Sequence, residues 1–181
     1  MTKLLFFNKN IYICISKNNK HLLIMKKDSS KSLKWLTGVT TIFGALYLLM
    51  LVCQTCGLFF GYPVRQTAEW MADIKLFQAS IAIFRFIGAA ASYACIIAFL
   101  LNSISALKNG TIFPKKNVGI LFGAAISSFI FIFCNSNMHI VFGTRQIELG
   151  FVEIIVPVVI CALAIIYRIA VQISKENSLT I

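Results

Sequence analysis

Polar and apolar residues are segregated along this chain into long blocks, and the length of each block predicts its elements. Leu36 to Phe60 contains no charged residue, and at about 1.5 Å per residue such a helix exceeds the roughly 30 Å of a bilayer's hydrocarbon core. Gly61-Tyr62-Pro63 ends the block, because Gly and Pro are poor continuations of a helix. Val64 to Lys75 is mixed, with Arg65, Glu69, Asp73 and Lys75 around Trp70, the pattern of a short interfacial segment with an aromatic anchor. A second apolar block covers about 78–101 and is broken by Arg85; a third covers about 118–137 and reaches toward Phe142. The fourth, about 150–171, has Glu153 near its start and Pro157 inside. Between the second and third blocks, 102–117 reads as a polar loop with Asn109-Gly110 as its turn signal. The expected fold is all-α: an integral membrane bundle of four transmembrane helices over 34–173.

Composition agrees with that class. The chain is 59 % hydrophobic and 13 % charged, with a mean hydropathy of +0.84, well away from an ordinary soluble domain. The net charge of +11 raises the question of nucleic acid. The basic residues, however, sit at block ends and in the arm 1–33, where orientation and anionic lipid account for them, and no nucleic-acid motif accompanies them. Eight lysines lie in residues 1–35, three around the 102–117 loop, and Arg168 and Lys175 near the C-terminus, against Arg65, Lys75 and Arg145 on the other side. This asymmetry predicts both termini in the cytoplasm, with a tail over 174–181, and four crossings of the membrane. The arm's apolar runs, Leu4–Phe7 and Ile11–Ile15, are too short for a signal-peptide core, so no cleaved signal is expected. Met25-Lys-Lys-Asp-Ser-Ser-Lys-Ser reads as a natural start, which would make 1–24 an upstream extension.

The run Leu101-Asn-Ser-Ile-Ser-Ala-Leu-Lys-Asn-Gly-Thr-Ile-Phe-Pro-Lys-Lys-Asn-Val resembles the central segment of a bacterial membrane family, domain of unknown function 2975. There a second span ends in a short amphipathic stretch, then Lys-x-Gly-x-x-Phe, then basic or polar residues and the third span; Lys108, Gly110 and Phe113 fit the pattern. The resemblance covers Lys34 to about Ile173. It implies a four-span inner-membrane protein without an assigned reaction, working beside a small helix-turn-helix regulator, and it supplies no catalytic residues. Read from the residues themselves, the same segment is a turn whose lysines face anionic lipid, or a docking surface for a cytoplasmic partner.

Arg85 is the strongest anomaly, since an Arg at the bilayer centre costs about 2.5–3.5 kcal/mol on insertion scales. If its helix starts at Leu76 it lies about 14 Å deep; if at Ile81, about 6 Å, within reach of snorkelling. Glu153 falls in the same leaflet, and Gln54 and Asn135 at similar depth. These residues predict either an Arg85–Glu153 ion pair flanked by Gln54 and Asn135 in an outward-facing vestibule, or polar groups that only mark helix ends. Cys53 and Cys56 form a Cys-x-x-Cys in the first block, read as two packed cysteines or as a redox pair beside a quinone. Gly88 and Ser92 on the second helix, and Gly119 and Gly123 on the third, have the small-residue spacing that permits close helix packing.

No catalytic set, metal-ligand cluster or cofactor motif is legible. The function class expected is a non-enzymatic sensor or interaction partner, with a cytoplasmic protein or a second copy of the chain as partner besides the bilayer. A thiol–quinone oxidoreductase using Cys53 and Cys56, and a small-solute transport component, are the alternatives.

Overall fold

The computed structural model describes the backbone of residues 2–62 and 68–179, and the side chains of residues 31–62 and 68–176. The Met25 start, the arm lysines up to residue 30 and Arg65 are therefore outside what is described at side-chain level. Four helices follow one another: α1 (Thr2–Phe60), α2 (Lys75–Lys108), α3 (Lys116–Ser136) and α4 (Phe151–Leu179), with a 3-10 turn, Asn137–Phe142, after α3. No strand occurs among the described residues. The segments Lys31–Phe60, Lys75–Lys108, Lys116–Phe142 and Phe151–Glu176 are each long and apolar enough to cross a membrane. The protein is an all-helical, multi-pass membrane protein.

Three boundaries differ from the block pattern, each for a local reason. No Gly or Pro interrupts Thr2 to Thr37, and α1 runs through the arm without a break. α2 continues seven residues past 101 to Lys108, so half of the expected loop is helix. It stops in a hydrogen-bonded cap: Gly110 takes φ 81°, its N–H donates to Leu107 O at 3.3 Å, and the Thr111 N–H donates to Ala106 O at 2.9 Å. The paired bonds back into the last turn need a left-handed residue at that place, which Gly supplies without strain. α4 likewise passes 171 to Leu179, since nothing in Gln172–Leu179 breaks a helix.

The helices pack in chain order, α1 on α2, α2 on α3 and α3 on α4, with α2 and α3 in the most extensive contact. Among the described residues α1 and α4 do not meet, and their outer faces expose Ile42, Phe43, Leu46 and Leu49, and Val158, Val159, Ile165 and Ile166. In water such faces would drive aggregation; in a bilayer they are the solvated surface. Because lipid supplies no hydrophobic drive between helices, close approach has to hold them together. A Cβ on Gly88 would lie 2.7 Å from the backbone nitrogen of Phe131, and one turn on, the Ser92 hydroxyl donates to Ser127 Oγ at 3.0 Å. Gly44 of α1 lies under the ring of Tyr93 in α2, a packing site the sequence reading did not pick out. Thr37, Thr41 and Thr55 donate to the carbonyls four residues earlier at 2.7–2.8 Å, so α1 satisfies its own hydroxyls.

One of the four glycine and serine positions chosen for packing, Gly119, needs correction. Gly123 makes an ordinary contact, its would-be Cβ 3.5 Å from Cys95 Sγ, and a Cβ on Gly119 would meet nothing within 4 Å. Gly119 sits one turn into α3 and faces a cleft that it lines with residues of α4.

Candidate functional site

The polar residues collect at the end of the molecule formed by the C-terminal ends of α1 and α3 and the N-terminal ends of α2 and α4. An apolar cluster of Leu58, Ile81, Ala82, Cys134, Ile140 and Val141 closes this end, with Trp70, Ile74, Phe133 and Met138 packed on it. Trp70 stacks on Phe59, ring centroids 5.3 Å apart.

Two fully buried amides build the cap. Gln78 Nε2 donates to Glu69 O at 2.9 Å and Ile140 O at 2.8 Å, and its Oε1 accepts the Met71 N–H at 3.0 Å. One side chain thus ties the 68–74 segment and the 3-10 turn to α2. Asn137 Nδ2 donates to Phe133 O and Glu148 O at 2.9 and 2.8 Å, and its Oδ1 accepts the Glu148 N–H at 2.8 Å. That fixes the extended stretch before α4. His139 has ring nitrogens 2.9 Å from Ser136 O and 2.8 Å from Gln146 O; a neutral ring can donate to one of these carbonyls and an imidazolium to both. Gly143 closes the turn at φ 100°, and a Cβ there would strike the Glu69 carboxylate. Asn137 stands among the polar groups expected at the outer end of the third span, but nothing in the apolar pattern singles out Gln78, whose readable signal is a lone amide near the start of an apolar helix.

Arg85 stands ten residues after Lys75, the first residue of α2, which puts it about 15 Å along the helix axis, the deeper of the two placements expected. It is half-buried. Its Nε donates to Asn135 Oδ1 of α3 at 2.9 Å and its Nη2 to Gln54 Oε1 of α1 at 3.2 Å. Gln54, Arg85 and Asn135 are therefore one cluster joining three helices. Glu153 is not part of it. That carboxylate is buried against α3, where its Oε1 accepts the Ser136 hydroxyl, and among the described residues no ion pair joins it to Arg85. The expected pairing is corrected by helix order: Glu153 starts α4, which packs on α3 on the side away from α1, whereas Arg85 turns toward α1 and α3. The ion pair at this end is Arg145–Asp73, 3.0 Å, between exposed side chains.

Cys53 and Cys56 are free and half-buried on α1; Cys134 is buried in the apolar cluster, and Cys95 and Cys161 lie on α2 and α4. Among the described residues no three His, Cys, Asp or Glu side chains are grouped to hold a metal ion.

At the opposite end the Lys108–Gly110–Phe113 motif has a structural meaning. Lys108 ends α2, Gly110 is its left-handed cap, and Phe113 sits edge-on to Tyr167 of α4 at 5.6 Å, with Phe99 on the same ring at 5.8 Å. Asn117, fully buried, donates to Ser103 Oγ at 2.9 Å and reaches Phe99 O and Tyr167 Oη at 3.4 Å. The motif thereby locks the α2–α3 turn to α4. The chain matches no protein-family model, no curated protein and no solved structure.

Proposed function

We propose that this protein is an inner-membrane sensor that works by binding rather than catalysis, with its termini and the 109–115 turn in the cytoplasm and a cytoplasmic protein as its partner. The asymmetry of its Lys and Arg residues supports that orientation, and the resemblance of the 101–118 segment supports a small transcriptional regulator as the partner. The observation that carries the sensing role is Arg85. A cation deep in an apolar helix is held by two neutral amide oxygens from two other helices, with no carboxylate paired to it among the described residues. Two neutral acceptors engage two of the five N–H donors of the guanidinium and leave its charge uncompensated. An anion entering between α1 and α3 supplies that compensation, draws Arg85 away from Gln54 or Asn135, and changes how three helices are joined.

Two tryptophans are present, and Trp70 lies on Phe59 beside this cluster. In proteoliposomes of the Trp35→Phe protein, sulfate as a probe anion is expected to change Trp70 emission saturably, and Arg85→Gln to abolish the change. A label on a cysteine placed at Asn109 should report the same midpoint. A response that is linear in sulfate, or that survives Arg85→Gln, overturns the sensing role.

A further inference from the structure

A second polar feature lies at the other end of the molecule, away from Arg85. Between the start of α3 and the last turns of α4 is a cleft of about 520 Å³ lined by Lys115, Val118, Gly119, Arg168, Val171, Gln172 and Lys175. Clefts that take small ligands run to about 300–1,000 Å³. The two walls are single faces of two helices: 115, 118 and 119 repeat at i, i+3, i+4, and 168, 171, 172 and 175 at i, i+3, i+4, i+7. The lining holds three cationic side chains and an amide and no carboxylate.

We propose that this cleft binds the phosphate of an anionic phospholipid headgroup. Lys115 at the start of α3 and Arg168 of α4 line one cleft, and an anion between two such cations is attracted to both. Arg168 presents the planar fork that matches phosphate oxygens, and Lys115 and Lys175 add point charges. Apart from Gln172, the rest of the lining is apolar, Val118 and Val171, with the bare backbone of Gly119, whose would-be Cβ meets nothing within 4 Å. Such a lining suits the glycerol and first methylenes of a lipid, not a free ion. The level is that of a headgroup: Lys115 immediately precedes the membrane-crossing segment Lys116–Phe142, and Lys175 lies at the end of Phe151–Glu176. The open space over Gly119, which made it a poor helix-packing residue, is the room the lipid occupies.

The test uses the full chain purified in neutral detergent, with phosphatidylglycerol, phosphatidylcholine or inorganic phosphate added, read by retained lipid in native mass spectrometry and by melting temperature. Phosphatidylglycerol is expected to stay bound and raise the melting temperature, and phosphatidylcholine to do neither. Lys115→Gln with Arg168→Gln should weaken phosphatidylglycerol binding by about tenfold or more. Gly119→Leu, which fills the cleft without changing charge, should weaken it similarly. Lys31→Gln with Lys34→Gln, basic positions at the same end outside the cleft, should leave it unchanged. Equal retention of both lipids, an equal loss in the Lys31/Lys34 control, or no effect of Gly119→Leu would overturn the site, and the same shift with inorganic phosphate would overturn lipid as its source.

Discussion

Arg85 of α2 and Asn135 of α3 meet side chain to side chain, the guanidinium Nε donating to the amide oxygen across 2.9 Å. Their separation of fifty residues in sequence makes this bond a measure of how α2 and α3 are rotated against each other. With the Gln54 bond at 3.2 Å, it turns one costly cation into a fastener for three helices.

If that is its role, the two amides contribute separately. Asn135→Leu is expected to destabilise the folded protein by about 1–2 kcal/mol, and Gln54→Leu by about 1 kcal/mol or less, given the longer bond and the modest worth of interhelical hydrogen bonds in lipid. Each should show non-additivity with Arg85→Met in a double-mutant cycle of unfolding in detergent. Additive effects would mean that the contacts carry no energy.

Glu153 answers to Ser136 and not to Arg85. The exchange Arg85→Glu with Glu153→Arg should therefore fail to restore the expression or stability lost in either single variant, because it places each charge beside the other's neutral partners. Recovery in the doubly substituted protein would show that the two do pair.

Close approach of α2 and α3 is concentrated at Gly88. Its would-be Cβ lies 2.7 Å from backbone and not from a movable side chain, so Gly88→Ala should cost about 1–3 kcal/mol. Gly123→Ala, with an ordinary 3.5 Å contact to Cys95, should change the melting temperature little. Thermal unfolding of the two variants side by side distinguishes them, and equal behaviour would contradict the geometry.

Gln78 holds three backbone groups, of which the Ile140 carbonyl also accepts the Gly143 N–H. Gln78→Leu removes the side-chain partner of the Met71 N–H and the Glu69 carbonyl, a loss of about 1–2 kcal/mol. Hydrogen exchange should quicken first at 68–74, whose anchor is removed, and later in α3. Unchanged protection at Met71 would show that the segment is held without Gln78, by the Glu69 N–H bond to Val141 O at 3.1 Å and by packing of Ala68, Trp70 and Ile74.

Four spans and their approximate limits were legible because hydrocarbon thickness sets a minimum apolar length, a property of one dimension that a chain displays directly. The same is true of the Gly110 turn, a local backbone requirement. Arg85, Gln54 and Asn135 could be suspected as a group from depth alone, since depth is residue count times rise. Which of them touch was another matter, and the Arg85–Glu153 expectation failed there. Sharing a level in the membrane does not say which neighbour a side chain faces. Lateral order and helix rotation decide that, and both depend on close contacts such as Gly88 on Phe131 and Gly44 under Tyr93, between residues far apart in sequence. Hydropathy is blind to rotation when apolar residues line every face. The roles of Gln78, Asn117 and Asn137, the cleft at Gly119, and the separation of Glu153 from Arg85 were therefore settled by tertiary packing.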